Sequence, residues 1–192
     1  MSHKQQRDFC RRLQKMYRNY FIDVDVLDVG SCDINGNNRE WFSGDFTYTG
    51  VDPFDGPNVD IVGVTADVPG DFDVVISTEM LEHDETWEQS LRDMCAKLRP
   101  GGMLILTCAG RGRKEHGTKR FPKPGMANGD YYRNLDEEDI RPVLEDAASW
   151  YRLSFARNDQ SCDTYVLGIA EGTLPKASQV RAEWEQVLRE WK

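Results

Sequence analysis

The run Val26-Leu27-Asp28-Val29-Gly30 constrains what this chain can fold into more than any other feature. Apolar and β-branched residues that stop at a glycine and continue into Ser31–Gly36 read as a buried parallel strand and the loop after it. In a doubly wound α/β sheet, the loop after the first strand is where a nucleotide-like ligand lies. A glycine there lets the backbone approach the ligand, and the next helix aims its N-terminus at the site. Asp52 stands 22 residues beyond Gly30, at the end of a second apolar run, Thr47–Val51. An acidic residue about 20 positions on, at the tip of the second strand, suits ribose hydroxyls. Its carboxylate can accept two hydrogen bonds at once.

The loop lacks the G-x-G-x-x-G of a dinucleotide site, since Gly30 is followed by Ser31, Cys32 and Asp33, with Gly36 later. No G-x-x-x-x-G-K-[ST] phosphate cradle occurs. Asp28, two residues before Gly30, suits a cationic amino group better than a pyrophosphate. The D-x-G loop with Asp52 downstream resembles the S-adenosylmethionine (SAM) site of the class I methyltransferases. The resemblance implies cofactor contacts from Asp28, Gly30, Ser31, Cys32, Asp52 and Pro53.

Periodicity gives the rest of the order. Residues 3–20 read as an N-terminal cap helix, with Phe9, Leu13, Met16, Tyr17 and Tyr20 on one stripe. Asn37–Phe42 gives a short helix at most. Val59–Val64 reads as a third strand, followed by Asp67, where the resembling family reads adenine with a carboxylate. Asp71–Ser77 is a fourth strand. Trp87, Leu91, Met94, Cys95 and Leu98 form the stripe of a helix stopped by Pro100-Gly101-Gly102. Met103–Cys108 is a fifth strand. Residues 72–107, with F-D-V-V-I-S-T-E-M-L-E-H and L-R-P-G-G-M-L-I-L-T, resemble methyltransferases that O-methylate ubiquinone precursors. That match adds Ser77 and Glu79 to the cofactor set. Leu135–Trp150 reads as a helix interrupted at Pro142. Tyr151–Phe155 and Thr164–Ala170 close the sheet, in the resembling family as an antiparallel edge. Residues 176–192 form an amphipathic terminal helix whose Trp184 and Trp191 could pack on the domain or on a second subunit. The expected fold is one domain over residues 1–192: a doubly wound, mostly parallel seven-stranded sheet with an antiparallel edge and helices on both faces.

Charge separates the segments. The net charge is −9, yet residues 1–20 hold six Lys/Arg against one Asp, and 110–133 hold seven against two acids. The long loop 110–133 follows the fifth strand, so it rises on the ligand-bearing edge of the sheet. It is read as a substrate-side loop. Arg111, Arg113, Lys114 and Arg133 would meet an anionic group of a small acceptor, and Tyr131 or Tyr132 its body. An acidic surface otherwise repels nucleic acid. Five scattered cysteines, none in C-x-x-C spacing, point to reduced thiols in a cytoplasmic setting and away from a zinc site. No stretch of about 18 apolar residues spans a membrane, and the N-terminus lacks the apolar core of a signal peptide.

Methyl transfer from a sulfonium is an in-line displacement, in which positioning and removal of the acceptor's proton are the enzyme's work. His83 and His116 are the candidate bases. Glu79, Glu82 and His83, at i, i+3 and i+4, could share one helical face and hold a divalent ion, as in some ubiquinone-type relatives. The metal-free reading is preferred. No [DNS]-P-P-[YF] follows the fourth strand, no Pro-Cys nucleophile is present, and no target-recognition domain is added. SAM-dependent methylation of an oxygen or nitrogen of a small acceptor, with S-adenosylhomocysteine as product, is therefore expected. The alternatives are a nucleic-acid methyltransferase using the two basic segments and a non-catalytic SAM-binding protein.

Overall fold

A computed structural model describes residues 4–124 and 129–172. Within them the chain forms a seven-stranded sheet in the order β3-β2-β1-β4-β5-β7-β6. The strands are β1 (Asp25–Val29), β2 (Thr47–Asp52), β3 (Ile61–Val62), β4 (Phe72–Thr78), β5 (Leu98–Ala109), β6 (Trp150–Asn158) and β7 (Asp163–Ala170). β1 through β5 pair in parallel, and β7 runs antiparallel to both β5 and β6. This is the doubly wound sheet with an antiparallel edge that the sequence predicted.

Alternation along the central strands divides the core into two layers. Leu27, Val29, Val75, Leu104 and Leu106 face a layer built with α2 (Trp87–Ala96) and α3 (Glu137–Ala147). Val26, Val74, Ile76, Met103 and Ile105 face the opposite layer, which contains Phe9 and Leu13 of α1 (Lys4–Met16). Phe9 stacks on Tyr165 of β7 at 4.6 Å, and the Tyr20 hydroxyl donates to the Gly101 carbonyl at 2.8 Å. The N-terminal helix is thus part of the core layer. It is shorter than 3–20, because the chain tightens into a 3-10 turn at Arg18–Tyr20.

Three expectations are corrected. No α-helix stands between β1 and β2 to aim its N-terminus at the site, although Asn37–Phe42 is a short helix at most, as read from the sequence. The loop after Gly30 runs into a single 3-10 turn, Arg39–Trp41, whose Trp41 is buried beside Phe42. The site therefore lacks the helix N-terminus that serves a pyrophosphate. Pro142 does not interrupt α3, which is continuous from Glu137 to Ala147. The carbonyl that its missing N–H leaves without a helical partner belongs to Glu138, an exposed residue that solvent can reach. Pro100-Gly101-Gly102 lies inside β5, where Gly102 lets Arg99 and Asp73 backbone approach: an added Cβ would stand 2.9 Å from the Arg99 oxygen. The terminal helix expected at 176–192, and any dimer contact through it, lie outside the described residues. Among those residues no helix is long and apolar enough to cross a membrane.

Candidate active site

Beyond the carboxyl ends of β1, β2 and β4 opens a cavity of about 520 Å³. Asp28, Gly30, Ser31, Cys32, Asp52, Pro53 and Glu79 all line it, as does His83. Two expected cofactor residues do not. Ser77 points to the other face of β4, where its hydroxyl donates to the Val29 carbonyl at 2.7 Å; the next residue, Thr78, reaches the cavity instead. Asp67 is exposed and closes its own 3-10 turn, accepting the Val64 N–H at 3.0 Å. Gly63, Val64 and Thr65 form the wall in its place.

Asp28 is buried at 1 % exposure. Asn38 donates to one of its oxygens at 3.1 Å, and the Tyr48 hydroxyl donates to the other. Burial outweighs both bonds and pushes its pKa up to about 6. A cation brought into the cavity would relieve that cost. Neither Asn38 nor Tyr48 was legible as a site residue. Asn38 ends an irregular loop, and Tyr48 lies on β2 opposite Val26, reaching Asp28 along the diagonal between paired strands. Arg39 stacks over the Tyr48 ring at 4.3 Å.

Asp52 is half-buried. Its oxygens accept the Phe54 N–H at 3.0 Å and the Cys32 N–H at 3.3 Å, tying the loop after β1 to the turn after β2. Each oxygen keeps a further lone pair for a ligand hydroxyl. Burial raises its pKa. The Ser31 hydroxyl is buried with no hydrogen-bond partner among the described residues. Phe54 and Val64, 58 % and 56 % exposed, present apolar surface at the rim.

Gly30 has φ +77°, and a Cβ there would stand 2.4 Å from Met80 Cγ. Its missing side chain lets the turn after β4 close over the first loop. That turn is itself strained: Glu79 adopts φ +57° while its N–H is held by the Thr107 carbonyl at 2.7 Å. Such a left-handed conformation costs on the order of 1–3 kcal/mol and gathers at functional sites.

Loop 110–133 is less available to a ligand than its composition implied. Arg111 pairs with Asp136 and Glu138 at the start of α3. Arg133 pairs with Asp139 at 2.6 Å and covers Trp87. Arg113 turns inward, 3.2 Å from buried Asp163 and 3.9 Å from Glu79. The three guanidiniums are engaged by the protein's own carboxylates, which leaves them less free to meet an acceptor. Lys114 is exposed. Tyr131 packs against the layer of α2 and α3. Tyr132 meets the rings of His83 and His116 edge-on, at 5.3 and 5.2 Å, while its hydroxyl donates to the Lys114 carbonyl at 3.2 Å.

His83 and His116 stand 5.2 Å apart, ring centre to ring centre. Burial, with His116 beside it, lowers His83 to about 4, and burial also lowers His116. A base as weak as His83 is poorly matched to proton abstraction near neutrality, which speaks against it as the catalytic base; His116 is shifted in the same direction. Glu82, next to His83, is fully buried, and burial together with nearby Glu79 pushes it above the ordinary carboxylate range. The ligand-like group that forms here is Glu82, His83 and His116, not Glu79, Glu82 and His83.

A family model described as a methyltransferase domain matches residues 1–148. The chain belongs to this methyltransferase family. The match ends before β6 and does not single out the ubiquinone-type branch of the class I methyltransferases. Similar solved structures share the fold. The 1,6-didemethyltoxoflavin-N1-methyltransferase of Burkholderia thailandensis, solved with 1,6-didemethyltoxoflavin and S-adenosylhomocysteine, is 16% identical over 88% of this chain and 78% of its own, with a TM-score of 0.59. The magnesium protoporphyrin IX methyltransferase of Synechocystis PCC 6803, with bound SAM, is 15% identical over 87% and 80%, also at 0.59. The N-methyltransferase NodS of Bradyrhizobium japonicum WM9, with S-adenosylhomocysteine, is 13% identical over 85% and 86%, at 0.56. No curated protein sequence matches significantly.

Proposed function

We propose that the protein transfers a methyl group from SAM to an oxygen or nitrogen of a small acceptor. The observation that carries this reading is the pair of carboxylates Asp28 and Asp52, set at the ends of neighbouring parallel strands and opening into one cavity. Asp28, buried and held by two neutral donors, matches the amino group of the methionine moiety. Asp52 matches the ribose diol, and the Ser31 hydroxyl supplies a further polar contact. Phe54 and Val64 flank the space for the adenine.

The acceptor then lies on the β4 side, toward His83. Catalysis rests on orientation of the two reactants in a closed site, the main source of rate in a displacement of this kind. An anionic acceptor keeps only weak support, from exposed Lys114, because the loop arginines are already paired. The same pairing weighs against a nucleic-acid substrate, which needs several cations for its phosphates.

The test is calorimetry with S-adenosylhomocysteine, NAD and ATP, followed by mass spectrometry of small phenols, amines and N-heterocycles incubated with SAM and the protein. Binding of S-adenosylhomocysteine alone, with one methyl added to an acceptor, is the expected result. Binding without transfer to any acceptor would favour a SAM-binding protein without catalysis, and no binding would overturn the reading.

A further inference from the structure

We propose that Glu82, His83 and His116 form a binding site for one zinc-class divalent ion, which fastens the loop segment around His116 to the turn after β4. The proposal stands independently of the methyl-transfer reading. One ligand-capable atom of each residue lies within 4.8 Å of the others. Donors bound to one ion at about 2.1 Å stand at most about 4.2 Å apart, so small side-chain rotations close the set.

The polar atoms here are otherwise unexplained. The Glu82 side chain is 0 % exposed, and no side chain among the described residues donates to either carboxylate oxygen; only the backbone N–H groups of Glu82 and Ala109 bear on it, at poor hydrogen-bond geometry. The Nε2 atoms of His83 and His116 are likewise buried without a hydrogen-bond partner among the described residues. A buried carboxylate without a well-placed donor is costly, and native proteins place a proton, a water or an ion against such a group. Three orphaned acceptors converging on one point is the arrangement that a cation resolves.

The neighbouring contacts prepare the imidazole of His116. Its Nδ1 stands 3.0 Å from the Lys114 carbonyl. A carbonyl can only accept, so Nδ1 carries the proton and Nε2 keeps its lone pair. This is how an outer contact fixes the tautomer of a ligating histidine. Tyr132 donates to the same carbonyl and packs its ring on both imidazoles, which limits their rotation. The Arg133 N–H donates to the Glu82 carbonyl at 2.9 Å, so both ends of the loop's return reach this point.

Two imidazoles and one carboxylate select a borderline ion such as zinc over magnesium or calcium, which take oxygen donors. Glu79 is outside the set, since it faces Arg113. His83 belongs both to this cluster and to the cavity wall, so the ion would stand where the acceptor approaches. Its clamp would couple the position of that loop segment to the open side of the cavity.

Full-length protein is stripped with a chelator, re-equilibrated with zinc or cobalt(II), and passed through a desalting column. We expect one ion retained per chain, a cobalt spectrum without thiolate charge-transfer bands, and slower tryptic cleavage at Lys114, Lys119 and Arg120. His116→Ala should weaken zinc affinity at least about tenfold. Glu82→Gln should do the same while the metal-free variant keeps its melting temperature, which guards against loss of fold. Absence of stoichiometric binding, binding unchanged in both variants, or thiolate bands from the cysteines would each overturn the proposal.

Discussion

The Tyr48 hydroxyl, carried on β2, donates to the buried carboxylate of Asp28 on β1. That bond and the one from Asn38 hold Asp28 in one rotamer, aimed along the strand end at the cavity. Tyr48→Phe removes one of the two donors without changing the ring. Affinity for S-adenosylhomocysteine should fall by about tenfold, in line with about 1.5 kcal/mol for a hydrogen bond to a charged group. Calorimetry on the variant, with circular dichroism to verify the fold, checks this.

The raised pKa of Asp28 has a pH signature. Its folded value, about 6, lies above the ordinary 3.8. The folded protein therefore holds an extra proton between about 4 and 6, and ligand-free stability falls as pH rises through that window. A bound ammonium group favours the carboxylate, so cofactor binding releases this proton. Affinity for S-adenosylhomocysteine should rise from pH 5 to about 6.5 and then level. Titrations across that range should show the rise in the natural protein and its loss in Asp28→Asn.

Asp52→Ala should lose the ribose contacts and also the tie to the Cys32 N–H. We expect a loss of about 1.5–3 kcal/mol in cofactor affinity. Asp52→Asn, which retains acceptor capacity on one oxygen, should lie between. Unchanged affinity in the alanine variant would remove Asp52 from the site.

Gly30→Ala should destabilise the fold by at least about 1–3 kcal/mol, the cost of forcing a side chain into a left-handed backbone conformation. The clash with Met80 adds to this. In a Met80→Ala background, urea denaturation should recover only the share due to the Met80 Cγ, because the Met80 Cβ, 2.7 Å from the added atom, remains and the backbone cost is untouched.

Arg113 and Arg111 should separate cleanly. Arg113→Ala removes the cation between buried Asp163 and Glu79. A loss near 3 kcal/mol of stability is expected, the lower end for breaking a buried pair, since Arg113 is partly exposed. Arg111 is 71 % exposed at its side chain, so Arg111→Ala should stay within about 0.5 kcal/mol. If Arg113→Ala instead leaves stability intact and raises the acceptor KM, the arginine serves the acceptor after all.

The sheet, and the position of the cavity at its carboxyl edge, were legible in the sequence. Val26–Val29 and Val74–Ser77 are apolar enough to be buried on both faces, which compels a parallel sheet covered by two layers. Gly30 and Asp52 are legible because a strand end, a turn and a spacing are local properties of the chain. Only the tertiary structure decided what each charged side chain faces. Arg111, Arg113 and Arg133 look alike in a basic loop, yet each meets a different carboxylate: Glu138 and Asp163 lie far off in sequence, and Asp139 six residues on. Asp67 sits at a plausible spacing, but its own turn N–H captures it. Tyr48 and Asn38 act on Asp28 through pairing register and loop path, neither of which leaves a periodic trace. His116 meets Glu82 and His83 across more than thirty residues of intervening chain. Hydrophobic burial follows patterns that a sequence displays, whereas the partner of a polar group is fixed by where the folded backbone brings the chain together.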